Sequence, residues 1–150
     1  MLTQPQVQRY STESGLRNIM IAEKEVVLTF LLQLLSERGI LDRMAFKGGT
    51  CLRKMFLGIR GGSPRILILR ASRSTITRTS LAMMAAFQQP FHGIQFAIAD
   101  DDYYETQDGL SWGVNPTYSH DWNQGESEIK LQISRRETPT LPTERRPQIE

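Results

Sequence analysis

The stretch Phe46-Lys47-Gly48-Gly49-Thr50-Cys51-Leu52-Arg53-Lys54 constrains the fold more than any other part of the chain. Its pattern predicts the end of a short buried strand, a two-glycine turn, and a helix whose first turn carries Thr50. Paired glycines between a strand and a helix let backbone N–H groups approach an anion closely, and the helix dipole favours a phosphate there. The same doublet also serves any strand that must reverse tightly with no ligand bound. It is not a Walker A loop, because Gly48 and Gly49 lack the four-residue spacing to a Gly-Lys-Ser/Thr end.

The 150 residues suit one domain, long enough to bury a core without metal or disulfide staples. A net charge of +2 is too small for a surface that coats nucleic acid. Cys51 is the single cysteine, so no internal disulfide forms, in keeping with a reducing cytoplasm. There is no apolar run of membrane-spanning length and no charged n-region ahead of an apolar core. A soluble, cytoplasmic protein without a membrane partner is therefore expected.

Along the chain, residues 1–15 are polar, contain Pro5 and Gly15, and are expected to form a flexible arm. From Ile21 to Arg38, Val26, Val27, Phe30, Leu31, Leu34 and Leu35 recur at helical spacing, while Glu23, Lys24, Glu25, Gln33 and Glu37 fall mainly elsewhere. This predicts a core-facing helix stopped by Gly39. A connector and strand over 41–47 and a short helix over 50–57 follow. Arg53 and Lys54 lie one turn past Thr50, where they either meet a phosphate or form a solvated basic face. A helix over 81–88, ending before Pro90, should present Leu81, Met84, Ala85 and Phe87 as its apolar face, with methionines as core fillers. A strand is expected over 94–98.

Asp100, Asp101 and Asp102 follow in a turn, where adjacent carboxylates either ligate a cation or are simply solvated. Two strands, 110–118 and 126–134, are joined through a polar turn at 120–125. In the second, Glu128, Lys130 and Gln132 share one face and Ile129, Leu131 and Ile133 the other. His92 and His120 are too far apart to suggest a metal pair, and Trp112 and Trp122 are most simply packing residues. From Arg135 on, Pro139, Pro142 and Pro147 break regular structure. The organisation expected is an arm over 1–15, a partial domain over 16–138 and an irregular Pro-rich tail over 139–150.

The segment 58–80 is the anomaly. It holds Arg60, Arg65, Arg70, Arg73 and Arg78 with no Asp or Glu, although the chain's charges nearly balance. Ile66-Leu67-Ile68-Leu69 reads as a buried strand, but Ala71 to Ser80 has no clean period. The arginines form either a basic patch for RNA or a tolerated surface loop.

With Phe46-Lys47-Gly48-Gly49-Thr50, Leu52-Arg53-Lys54 and the preceding helix, the sequence resembles the abortive-infection nucleotidyltransferase toxins of the AbiE type (AbiEii), in the polymerase-beta-like superfamily. The resemblance runs from about Leu16 to Gln148 and covers the N-terminal half of a typical member. It implies an α/β fold, a mixed sheet with flanking helices, and transfer of a nucleotide from an NTP to an acceptor such as tRNA, as the toxin of a toxin–antitoxin pair. It also implies a cognate antitoxin partner and Mg²⁺ as cofactor. Lys47, Gly48, Gly49, Thr50 and Arg53 would contact the triphosphate. In such toxins a strand soon after the turn carries Asp-x-Asp, whose alternating carboxylates face the same way to hold the metal, and a third carboxylate comes from a later strand. On that strand Glu128 and Lys130 are the catalytic candidates, and Gln132 stands where a carboxylate would suit better.

Where Asp-x-Asp belongs, this chain has Ser63-Pro64-Arg65-Ile66-Leu67-Ile68-Leu69-Arg70. No metal seat is therefore expected, and activity should be impaired. The genetic code supplies a cause. With the codons TCT CCC CGG ATC TTG ATT TTA CGG preceded by the T of a glycine codon, reading one base earlier gives Phe-Ser-Pro-Asp-Leu-Asp-Phe-Thr. Permitted codons from Ser72 to Ser80 likewise give Glu-Glu-His-Asp-His-Glu-Asp-Val. The expectation is that about 62–80 is translated out of frame. The alternatives are an inactive antitoxin-binding or RNA-binding remnant and a decayed gene fragment.

Overall fold

The computed structural model describes residues 1–47, 51, 66–70, 73–99 and 103–134. Its elements are α1 (Gln4–Ser14), α2 (Ile19–Glu37), a 3-10 turn (Ile40–Arg43), β1 (Ala45–Lys47), β2 (Ile66–Arg70), α3 (Arg73–Ala86), β3 (Ile94–Ala97), β4 (Tyr103–Glu105), β5 (Ser111–Val114), β6 (Thr117–His120), β7 (Asn123–Glu128) and β8 (Lys130–Ser134). They form a five-stranded sheet, β1-β2-β8-β5-β4, and a three-stranded sheet, β3-β6-β7. The β2–β8 pair is parallel and the other described pairs are antiparallel. The expected mixed α/β architecture is the one observed.

Each of the two long strands expected at 110–118 and 126–134 is divided, yet together they make one continuous ribbon. Register runs from Ser111↔Ser134 through Val114↔Leu131 to Thr117↔Glu128 and Tyr118↔Ser127 without a slip. Pro116 has no N–H to give to a ladder. Its carbonyl instead accepts from the Ile129 N–H at 2.8 Å, which carries the pairing across the gap. The ribbon thus belongs to both sheets. Ile129, Leu131 and Ile133 are buried while Glu128 and Lys130 are exposed, as strand alternation requires.

Helix α2 ends as expected, with Gly39 in the left-handed region at φ 69°. Its polar residues depart from expectation, since Glu23 and Glu25 are both buried. Glu23 Oε1 lies 2.8 Å from His120 Nε2 and accepts from the Tyr118 hydroxyl at 3.2 Å. The Trp122 ring stacks on His120 with centroids 4.0 Å apart. A buried carboxylate with two donors is satisfied where a lone one would be costly, so this cluster fastens α2 to β6.

Two further expectations are corrected. Residues 1–15 are not a loose arm: they contain α1, which packs on α2 and buries Val7. Gln6 Oε1 accepts from the Thr3 N–H at 2.9 Å to close its first turn. Helix α3 begins at Arg73 rather than Leu81 and buries Thr79, Met83 and Ala86, with Phe87 just beyond its end. Leu81 and Met84 are exposed. Helical periodicity holds, but on a stripe rotated from the one the apolar residues suggest. The expected 50–57 helix, the Asp100 to Asp102 turn and the tail over 139–150 lie outside the described residues, apart from Cys51 and its single helical position.

Candidate functional site

A transverse row crosses all five strands of the larger sheet. Lys47, the last residue of β1, pairs with Ile68 of β2. Ile68 pairs with Gln132 of β8, Gln132 with Gly113 of β5, and Gly113 with Tyr104 of β4. Directly opposed residues share a face of a sheet. On β5 and β8 the neighbours of this row, Trp112, Val114, Leu131 and Ile133, are buried in the apolar core, so the row occupies the face turned away from it. Lys130 is exposed on the same face, one step from Gln132 and opposite Ile66.

The strand that ends at Lys47 thus lies directly beside the strand where the resemblance puts Asp-x-Asp. Among the expected triphosphate contacts, Lys47 closes β1, while Gly48, Gly49, Thr50 and Arg53 lie outside the described residues. The two catalytic candidates are both exposed on the continuous ribbon but belong to different sheets. Lys130 belongs to the row's face of the five-stranded sheet, whereas Glu128 ends β7 opposite Thr117 in the smaller sheet.

At the paired positions of β2 and β8, the described residues do not make a magnesium seat. Positions 66 and 68 alternate onto one face, the geometry that lets two carboxylates converge, but both are isoleucine. Their partners on β8 are a cation, Lys130, and an amide, Gln132. Hard divalent cations take oxygen ligands, chiefly carboxylates, and this set offers one amide oxygen. No cluster of three or more His, Cys, Asp or Glu residues able to hold a metal occurs among the described residues. Burial pushes the Cys51 thiol above its ordinary value, which works against a reactive thiolate.

Sequence patterns missed Tyr104 and Gly113. The Cζ, Cε1 and Oη atoms of Tyr104 fill the space that a Cβ on Gly113 would occupy, so the ring lies over this position of β5. A glycine inside a strand pattern signals such a close approach, and Gly113 carried that signal. A shallow depression of about 400 Å³ on the smaller sheet is lined by Gln95, Ser119 and Asp121 among others. It stands apart from the row, and the Gln95 amide already donates to the Phe87 and Phe96 carbonyls.

No family model and no curated protein matches this sequence. Among solved structures, the nucleotidyltransferase toxin MenT4 of Mycobacterium tuberculosis superposes with a TM-score of 0.75 at 25% identity, covering 100% of this chain. The chain has the nucleotidyltransferase fold. JHP933 of Helicobacter pylori is similar at a TM-score of 0.50 and 21% identity over 79% of this chain. The chain spans about half of each of these structures, 49% and 47% respectively. No helix among the described residues is long and apolar enough to cross a membrane.

Proposed function

We propose that this chain descends from an AbiE-type toxin that moves a nucleotide from an NTP to an acceptor such as tRNA, in the cytoplasm and under the control of a cognate antitoxin. The observation that carries this reading is the register of β1, β2 and β8. The strand that ends at Lys47 pairs with residues 68–70, Lys47 opposite Ile68, while position 66 lies opposite Lys130 and position 68 opposite Gln132. Carboxylates at 66 and 68 would face the same way beside the turn, with Gln132 where a third acidic ligand belongs. Lys47, Gly48, Gly49, Thr50 and Arg53 contact the triphosphate in this reading. Lys130, two residues from Gln132, neutralises charge nearby.

The missing carboxylates are ascribed to the shifted reading frame over about 62–80, and the present chain is accordingly impaired in transfer. Helix α3 supports this. Its first turn has no acidic residue and begins with Arg73, the wrong sign for a helix N-terminus. Thr75, Ile76, Thr77 and Thr79 are poor helix formers there. The offset frame would instead begin the helix with acidic residues. The five arginines are then a product of frame and not an RNA surface.

The test compares the present chain with one carrying the offset-frame residues over 62–80, each with labelled NTP and Mg²⁺. Incorporation or Mg²⁺ binding gained only by the restored chain supports the reading. Failure of the restored chain to bind Mg²⁺ more tightly than the present one contradicts it.

A further inference from the structure

The row of paired residues ends at an exposed aromatic. Tyr104 is 44% exposed. From the edge strand β4 its ring reaches over Gly113 of β5, where its Cζ, Cε1 and Oη atoms take the place a Cβ would fill. One side of the ring rests on strand backbone and the rest of the residue is open. A half-exposed ring set over a strand glycine, at the end of a row that begins at a lysine, offers a surface for a planar ligand.

From β1 to β5 is three strand spacings, about 14 Å, comparable with the length of an extended nucleoside triphosphate. A triphosphate anchored at the Lys47 end would extend past positions 68 and 132 and bring its base to the Tyr104 ring. We infer that Tyr104 stacks on the nucleobase of the bound NTP, and that Gly113 stays without a side chain so that the ring can lie over it. The inference rests on the reading that the Lys47 end of the row holds the triphosphate. Stacking tolerates every base, because each has a π-face. The site therefore takes nucleoside triphosphates as a class, with modest preference among bases.

A packing role alone, in which the ring merely covers a glycine in the sheet, makes a different prediction. Calorimetric titration of the intact chain with ATP, CTP and inorganic tripolyphosphate separates the two. The expected result is that both nucleotides bind more tightly than tripolyphosphate. Tyr104→Ala should weaken nucleotide binding roughly tenfold, the effect of losing one stacked base, and leave tripolyphosphate unchanged, which also reports that the variant is folded. Tyr104→Phe should retain the nucleotide affinity. Gly113→Ala, by pushing the ring aside, should behave like Tyr104→Ala. Equal nucleotide binding by Tyr104→Ala and the unaltered chain, with tripolyphosphate still bound, overturns the stacking role and leaves the triphosphate site standing. Failure of the unaltered chain to bind either nucleotides or tripolyphosphate overturns both.

Discussion

The β5–β8 ribbon and the β2–α3 segment meet along the β2–β8 ladder, yet their sequences relate to structure in opposite ways. In the ribbon, local pattern and tertiary role agree: Ile129, Leu131 and Ile133 alternate inward, and Pro116 marks the division between sheets. In β2–α3 they conflict. Positions 66 and 68, paired with Lys130 and Gln132, are both isoleucine, and a Thr- and Arg-rich run occupies a helix N-terminus. Natural sequences tend to be consistent across levels, and a conflict marks either function or damage. The proposed reading gives an isoleucine pair at 66 and 68 no role and ascribes the conflict to damage.

The contrast predicts unequal responses to substitution. Leu131 is fully buried in the ribbon, so Leu131→Ala should destabilise the fold by about 2–5 kcal/mol in denaturant titration. A loss below about 1 kcal/mol would mean that the ribbon is not the consistent region claimed. A smaller, pH-dependent effect belongs to Tyr118. Burial, then the charge of Glu23, hold its phenol above the ordinary tyrosine value, although Ser127 acts the other way. The unfolded chain ionises this group near pH 10 and the folded one only at higher pH. The stabilisation is therefore complete below about pH 10 and declines as pH rises beyond it. Melting curves from pH 9 to 11 should show a steeper alkaline loss for the unaltered chain than for Tyr118→Phe. The smallest effect lies in α3, where Arg73→Glu should raise stability by about 0.3–1 kcal/mol through the helix dipole. A loss of similar size would indicate that Arg73 suits its place.

Particular residues show what could be read in advance. Helix α2, the alternation from Glu128 to Ile133 and the strand over β2 were legible because apolar residues repeat with the period of their element. Helix α1 was not, since Val7 is its one buried residue and no apolar stripe results. Thr3, Pro5 and Gln6 were its available signals. The span of α3 escaped because its first half has no period, and its face because the exposed Leu81 and Met84 imitate a core stripe. Glu23 and Glu25 read as solvated, since their burial depends on tertiary partners such as His120, ninety-seven residues away. Of the row and its face, Lys47 and Lys130 were named through the family resemblance. Tyr104 could not, because only strand pairing brings it over Gly113.

The coding DNA for residues 62–80 tests the central claim most directly. The account predicts that codons 63–69, read one base earlier, spell Asp-Leu-Asp at the level of residues 66–68, and that the offset frame continues into acidic codons before Leu81. Codons that place any other residues there would contradict it, and Ile66 and Ile68 would then have to be explained as selected members of the sheet.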